Sequence, residues 1–252
     1  MRTFVARTCV AALAALVSVG AAVADEIRLI SVGGVKGALD PIVAEFSKST
    51  GHKVTYVAGS PAVLPKRIAA ESFDVIVQSV PAMDDVAKAG GLKAGSRKAV
   101  ARGGIGLAVA ANAAAPDIST PDAFRKALLA AKSIGVGDPA TPNGSGIVIL
   151  KVLSASGIHD QLRPKLKVVG LDPGQKMIAA GDLELGLMNA SEVRSYLKFV
   201  GFVPPPLQGY TLYDVAVTAK SASPAAAALA DAIQSRDAAR HWTAARLEPR
   251  IF

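Results

Sequence analysis

Cysteine is nearly absent: the 252-residue chain has one, Cys9. That residue falls inside MRTFVARTCVAALAALVSVGAAVADE, which reads as a secretory leader. Arg2 and Arg7 precede an apolar core, and Ala22-Val23-Ala24 supplies small residues for cleavage, expected after Ala24. Removing 24 of the 252 residues leaves 228 with no thiol. Disulfides, cysteine metal sites and thiol catalysis are thereby excluded, and a hydrophobic core must supply the stability. After the leader, no apolar run approaches the ~20 residues that a membrane helix needs. Histidine is scarce as well. His52, His159 and His241 lie far apart, without metal-ligand spacing, and are expected at surfaces or helix ends. G-x-S-x-G, G-x-x-x-x-G-K-[ST] and G-x-G-x-x-G are all missing. Ser195-Tyr196-Leu197-Lys198 fits S-x-x-K, but its partner motifs S-D-N and K-T-G are not there, so it reads as chance. The expectation is therefore no enzyme, no metal and no cofactor. Aromatic residues make up only 5 %, and the formal charge of +8 becomes +6 once Arg2 and Arg7 leave with the leader. Scattered basic residues with few aromatics between them argue against nucleic acid and give a mild bias towards anionic partners.

What is present is an alternation of strand-length apolar runs with stretches of helical period. Strands are expected at Ile27–Val32, Lys53–Gly59, Phe73–Ser79, Gly104–Ala111, Ser133–Asp138, Leu166–Gly170, Leu183–Asn189 and Thr211–Ala219. Helices are expected at Val35–Lys48, Ala62–Glu71, Ala82–Ala89, Pro121–Lys132, Ser145–Ser156, Gly174–Ala180, Ser191–Lys198, Pro224–Ser235 and Asp237–Leu247. Pro41 predicts either an N-terminal kink in the first helix or a true start at Asp40. The pattern is α/β, with mostly parallel sheets covered by helices. No polar linker divides the chain, so two lobes would have to be joined by strands.

Several strand-to-helix junctions are built from small or polar residues. Gly34, Val35 and Lys36 follow the first strand, and Ser60 follows the second. Thr141 to Gly146, with Asn143, Gly144 and Ser145, precedes a helix, and Asn189 closes a late strand. In α/β sheets the C-terminal strand ends face helix N-termini, where unpaired N–H groups and the helix dipole favour an anion. The eight residues Gly34, Val35, Lys36, Ser60, Asn143, Gly144, Ser145 and Asn189 are the candidate ligand-binding set.

Phe46, Thr50, Gly51, Lys53 and Val54, then Asp74-Val75, then Gly137-Asp138-Pro139 give the chain its resemblance to the solute-binding proteins of ABC importers. Within them it is similar to the molybdate-binding group, across essentially the whole chain after the leader. The resemblance implies a two-lobe type II periplasmic binding protein fold that closes over its ligand. Each lobe is a mostly parallel sheet flanked by helices, and two crossover strands form the hinge. Crossings are expected near Gly106–Ala110 and Asp214–Thr218, giving a first lobe of residues 25–107 completed by 216–252 and a second of 108–215. Molybdate-binding relatives use a serine after the first strand, a serine after the second, amides of the G-D-P loop and a tyrosine in the second lobe. Here Gly34 stands at the first of these positions, Ser60 keeps the second and Asn189 takes the place of the tyrosine. The choice thus widens to small anions, oxyanion or carboxylate: a site of neutral donors suits molybdate, tungstate or sulfate, and Lys36 favours a carboxylate if it takes part. Gln208, Thr211 and Tyr213 lie beside the returning crossover, where they could reach ligand or serve the hinge; the hinge is expected.

The expected function is a periplasmic, monomeric receptor that captures a small anion between its lobes and delivers it to an inner-membrane ABC permease. The alternative is a ligand-binding sensor that signals to a membrane partner. A hydrolase on the same fold is the third reading, opposed by the missing nucleophile and base.

Overall fold

The computed structural model describes residues 24–250, so all but the last residue of the leader expected at 1–24 lies outside the described residues. The first half contains β1 (Glu26–Val32), α1 (Lys36–Thr50), β2 (Lys53–Gly59), α2 (Leu64–Ala70), β3 (Val75–Ser79) and α3 (Val80–Lys88). A 13-residue strand, β4 (Lys98–Ala110), leads into α4 (Pro121–Ala130), β5 (Ile134–Val136), α5 (Gly146–Ala155) and α6 (His159–Leu162). There follow β6 (Leu166–Val168), α7 (Leu171–Ala180), β7 (Leu185–Asn189), β8 (Leu197–Phe202) and β9 (Tyr210–Val217). The chain closes with α8 (Ala226–Gln234), α9 (Ala239–Ala244) and β10 (Leu247–Pro249).

These elements form an α/β structure around a curled mixed sheet of order β2-β1-β3-β9-β4-β7-β5-β6, with β8 and β10 also paired to β4. β1 is parallel to β2 and β3, and β5 is parallel to β6 and β7. β4 and β9 run antiparallel to their neighbours. β4 is shared between two halves. Residues Lys98–Gly104 pair with β9, and Ile105–Ala108 pair with β7.

Two hydrophobic cores lie on either side of that switch. The first gathers β1, β3, α1, α8, Tyr213, Val215 and Trp242; the second gathers Ile105, Leu107, Phe124, Leu128 and Ile149. A smaller cluster around Ala108, Ile178 and Met188 fills the opposite face of the second half. In α1 the stripe Ala38, Leu39, Ile42 and Phe46 is buried, and Gly51 ends the helix at φ 76°, a left-handed conformation that costs glycine nothing.

Three expectations need correction. Pro41 lies inside α1, which begins at Lys36 behind a 3-10 turn of Gly33–Val35, so the start at Asp40 is not adopted. Ser191–Lys198 is not a helix: a 3-10 turn of Ala190–Glu192 leads to β8, because residues 197–202 find partners along β4. The last helix stops at Ala244, and Leu247–Pro249 pairs with β4 instead. β4 changes partners between Gly104 and Ile105, and its pairing with β9 ends at Gly104 opposite Tyr210.

Candidate functional site

The C-terminal ends of β1, β2, β3, β5, β6 and β7 converge on one cleft of about 1140 Å3. From the first half come Lys36 and Asp40 of α1, Ser60 after β2 and Ser79 at the end of β3. Facing them are Asn143, Gly144 and Ser145, the first turn of α7, and Asn189, Glu192 and Arg194 beyond β7. Thr211 and Tyr213 of β9 complete the lining. Three helices of ten residues or more, α1, α5 and α7, present their N-terminal turns here, and none has a side-chain cap. Their free N–H groups and dipoles are suited to negative charge.

The loop before α5 is fixed by backbone packing. A Cβ on Gly146 would lie 2.5 Å from the Asp138 carbonyl oxygen, so only glycine lets the helix start this close to the Gly137-Asp138 turn. Asn143 takes φ 63°, the left-handed region that asparagine tolerates better than most residues. Its carbonyl accepts from the Ser79 hydroxyl at 3.5 Å, a contact between the two halves at the cleft.

A sequence profile described as bacterial extracellular solute-binding protein matches residues 27–245. The chain belongs to that family. Aconitate isomerase from a Pseudomonas species is 30 % identical over 233 residues, 88 % of this chain and 87 % of that protein. The periplasmic molybdate-binding protein of Azotobacter vinelandii superposes with a TM-score of 0.70 at 19 % identity, covering 88 % of this chain and 98 % of the other. Peb3 from Campylobacter jejuni gives 0.71 at 16 % identity, covering 88 % and 99 %. These likenesses identify the fold as the type II periplasmic binding arrangement.

Within this solute-binding protein, Lys36, Ser60, Asn143, Gly144, Ser145 and Asn189 all line the cleft. Gly34 and Val35 do not. Val35 is packed into the first core because its 3-10 turn aims the side chain inward, and Gly34 lies buried behind the wall. Lys36 is already paired, donating to Asp40 at 2.7 Å with its Nζ 5.5 Å from the Tyr56 ring centre. Arg194 likewise donates to Asp172 at 3.0 Å. The two cations that line the cleft each face an acid, and both pairs are exposed enough to be weak.

Glu192, which the sequence reading passed over, stands on the cleft floor. Its Oε2 accepts from Asn189 Nδ2 at 3.2 Å. The same amide donates to Tyr213 Oη at 3.3 Å, and Asn189 Oδ1 accepts from Thr211 Oγ1 at 3.1 Å. Buried Gln175 clamps this turn from α7, donating to the Glu192 carbonyl at 3.1 Å and accepting from the Arg194 amide at 2.9 Å. Gly34 makes room from the other side: a Cβ there would lie 2.9 Å from Tyr213 Oη and 3.4 Å from Glu192 Oε1. Glu192 keeps some exposure to the cleft but is surrounded by protein on every other side. Burial raises its carboxyl to about 7, against the smaller opposing effects of the Asn189 hydrogen bond and the Arg194 charge. Burial and the neighbouring Glu192 charge push the Tyr213 phenol up as well.

The crossover residues divide between two tasks. Gln208 serves the hinge, its amide accepting from the Ile105 N–H at 2.9 Å and donating to the Ile105 carbonyl at 3.0 Å. Thr211 and Tyr213 belong to the cleft wall. Lys198 of the S-x-x-K match donates to the Ala113 carbonyl at 2.6 Å, away from the cleft. Among the described residues no group of three or more His, Cys, Asp or Glu side chains could hold a metal ion. No described helix is long and apolar enough to cross a membrane.

Proposed function

We propose that this chain is a periplasmic receptor that captures a small carboxylate anion between two closing lobes and passes it, as a monomer, to an ABC permease. The lobes are the two halves on either side of the Gly104–Ile105 switch, hinged through β4 and the 203–209 segment. The observation that carries the reading is the trio of uncapped helix N-termini aimed into one cleft. Their N–H groups, with the Ser60, Asn143 and Ser145 side chains, replace the water shell of an anion. Closure follows because a ligand that touches both lobes stabilises the closed state by its extra contacts. A tricarboxylate suits the spread of the donors better than a compact tetrahedral oxyanion, since the three helices enter from separate walls. The kinship with an aconitate isomerase points to the same ligand class.

A thermal-shift series of the protein without its leader tests this, with molybdate, tungstate, sulfate, phosphate, citrate and cis- and trans-aconitate as ligands. A ligand at 100 times its dissociation constant adds about 2.7 kcal/mol. Stabilisation by carboxylates alone is the expected result, and stabilisation by molybdate or tungstate alone would overturn it. Delivery is tested by co-purification with a permease; capture of a membrane sensor instead would assign the receptor to signalling.

A second reading is favoured by Glu192. A carboxyl that changes protonation near neutrality inside a ligand cleft is suited to chemistry as well as to capture. On this reading the chain isomerises an aconitate-type tricarboxylate.

A further inference from the structure

We propose that Glu192 is the acid–base catalytic residue of the cleft, moving a proton between two carbons of a bound unsaturated tricarboxylate; this rests on the carboxylate reading above. The geometry sets Glu192 apart as the one carboxyl of the cleft lining that is not exposed, and it has no cationic partner among the described residues. Asp40 is held by Lys36, Asp172 by Arg194, and Asp138 accepts from the Ala140 amide at 2.8 Å. Glu192 has a single neutral hydrogen bond, from Asn189, and makes no ion pair among the described residues. Glu192 itself lines the cleft, and Gly34, buried behind it, leaves room for Oε1, since a Cβ there would lie 3.4 Å away. Gln175 fixes the main chain just after Glu192, at its carbonyl and at the Arg194 amide, and Asn189 Nδ2 anchors the carboxyl itself.

The step balances without an oxidant or reductant. In a propene tricarboxylate, the ionised Glu192 takes a proton from the methylene carbon. The electron pair of the broken C–H bond enters the adjoining C=C and carboxylate system as a delocalised anion, whose charge the helix N-termini stabilise. Glu192 then gives a proton to the far carbon of that system. One C–H bond breaks, another forms, and the double bond moves by one carbon. Because the two end carbons carry the same substituents, the product is again an aconitate, free to adopt the opposite geometry. A buried carboxyl raised to about 7 is matched to this task, since it is neither too weak a base nor too reluctant a donor at neutral pH.

The test pairs binding with turnover. Calorimetry measures trans-aconitate affinity, and proton NMR in D2O follows deuterium entry at the methylene carbon and appearance of the cis isomer. The wild type is expected to bind and exchange, and Glu192→Gln to bind within about threefold while exchange falls at least ~100-fold. The wild-type exchange rate is also expected to rise with pH and level off above about 7, a readout that does not depend on the variant folding. Binding without exchange by the wild type overturns this inference and leaves the receptor reading intact. Exchange by Glu192→Gln at the wild-type rate, or a rate flat between pH 5 and 8, overturns it too. Failure of either aconitate to bind overturns the carboxylate reading along with it.

Discussion

Replacing Glu192 by glutamine should change how stability depends on pH, in a direction that the cleft dictates. An unfolded glutamate carries its ordinary value of 4.5, whereas the folded side chain sits at about 7. The folded state therefore holds this proton more tightly than the unfolded state. Below pH 4.5 both states are protonated and the group's contribution is fully present. As pH rises from 4.5 to about 7 the unfolded chain ionises first, and that stability is lost. The gap between the two values corresponds to about 3 kcal/mol, and solvent reaching the carboxyl through the cleft trims it towards 2. Glutamine has the same shape and no such dependence. The wild-type melting temperature should therefore fall by roughly 5–10 °C relative to Glu192→Gln between pH 4.5 and 8, with ~1 kcal/mol shifting a domain of this size by 2–4 °C. Trp242, the one tryptophan of the chain, is fully buried and donates to the Ile233 carbonyl at 3.1 Å, so its fluorescence reports unfolding directly. Glu71 and Glu45 are held low, chiefly by hydrogen bonds from Arg67 and Arg240, and act in the opposite sense. Their stabilising effect is present above 4.5 and lost as pH falls further, and it cancels between the two variants. Curves that stay parallel from pH 4.5 to 8 would refute the reasoning, because Glu192 would then ionise as an ordinary surface carboxyl.

Gly34→Ser should cost about 1–3 kcal/mol in urea denaturation, because its Cβ meets Tyr213 Oη at 2.9 Å; in a Tyr213→Phe background most of that cost should vanish. Gly146→Ala should displace the 138–146 loop and weaken carboxylate binding at least ~10-fold by calorimetry, since its Cβ would stand 2.5 Å from the Asp138 oxygen. Gln208→Leu removes one of two partners from each Ile105 backbone group, because Gly209 O and Val203 N remain, so a loss of only about 1 kcal/mol is expected. A loss above about 3 kcal/mol would mean that those remaining bonds do not hold.

The fold was legible wherever local pattern and tertiary demand agree. β2 was expected at Lys53–Gly59 and lies there, and α5 begins one residue after its expected start at Ser145. The junction rule also led to six of the eight expected residues on the cleft wall. Gly34 and Val35 lie off that wall because their turn faces them inward, a matter of φ and ψ that residue type does not encode. β8 was hidden because SEVRSYLK has helical spacing while its partner strand lies some ninety residues earlier, and pairing with β4 overrides propensity. Glu192 was illegible for a similar reason. Its position just past β7 was available to the same junction rule, but its chemistry depends on Tyr213 and Gly34, which meet it only in the folded chain.

The three uncapped helix ends have a consequence for descent. Their donors are main-chain N–H groups, which every residue except proline possesses, so substitution of side chains leaves the attraction for anions standing while sequences drift apart. Novelty in such a lineage is confined to the few side chains between those ends. If Glu192 acts as proposed, one carboxyl set between those ends is enough to separate a catalyst from a carrier on the same frame.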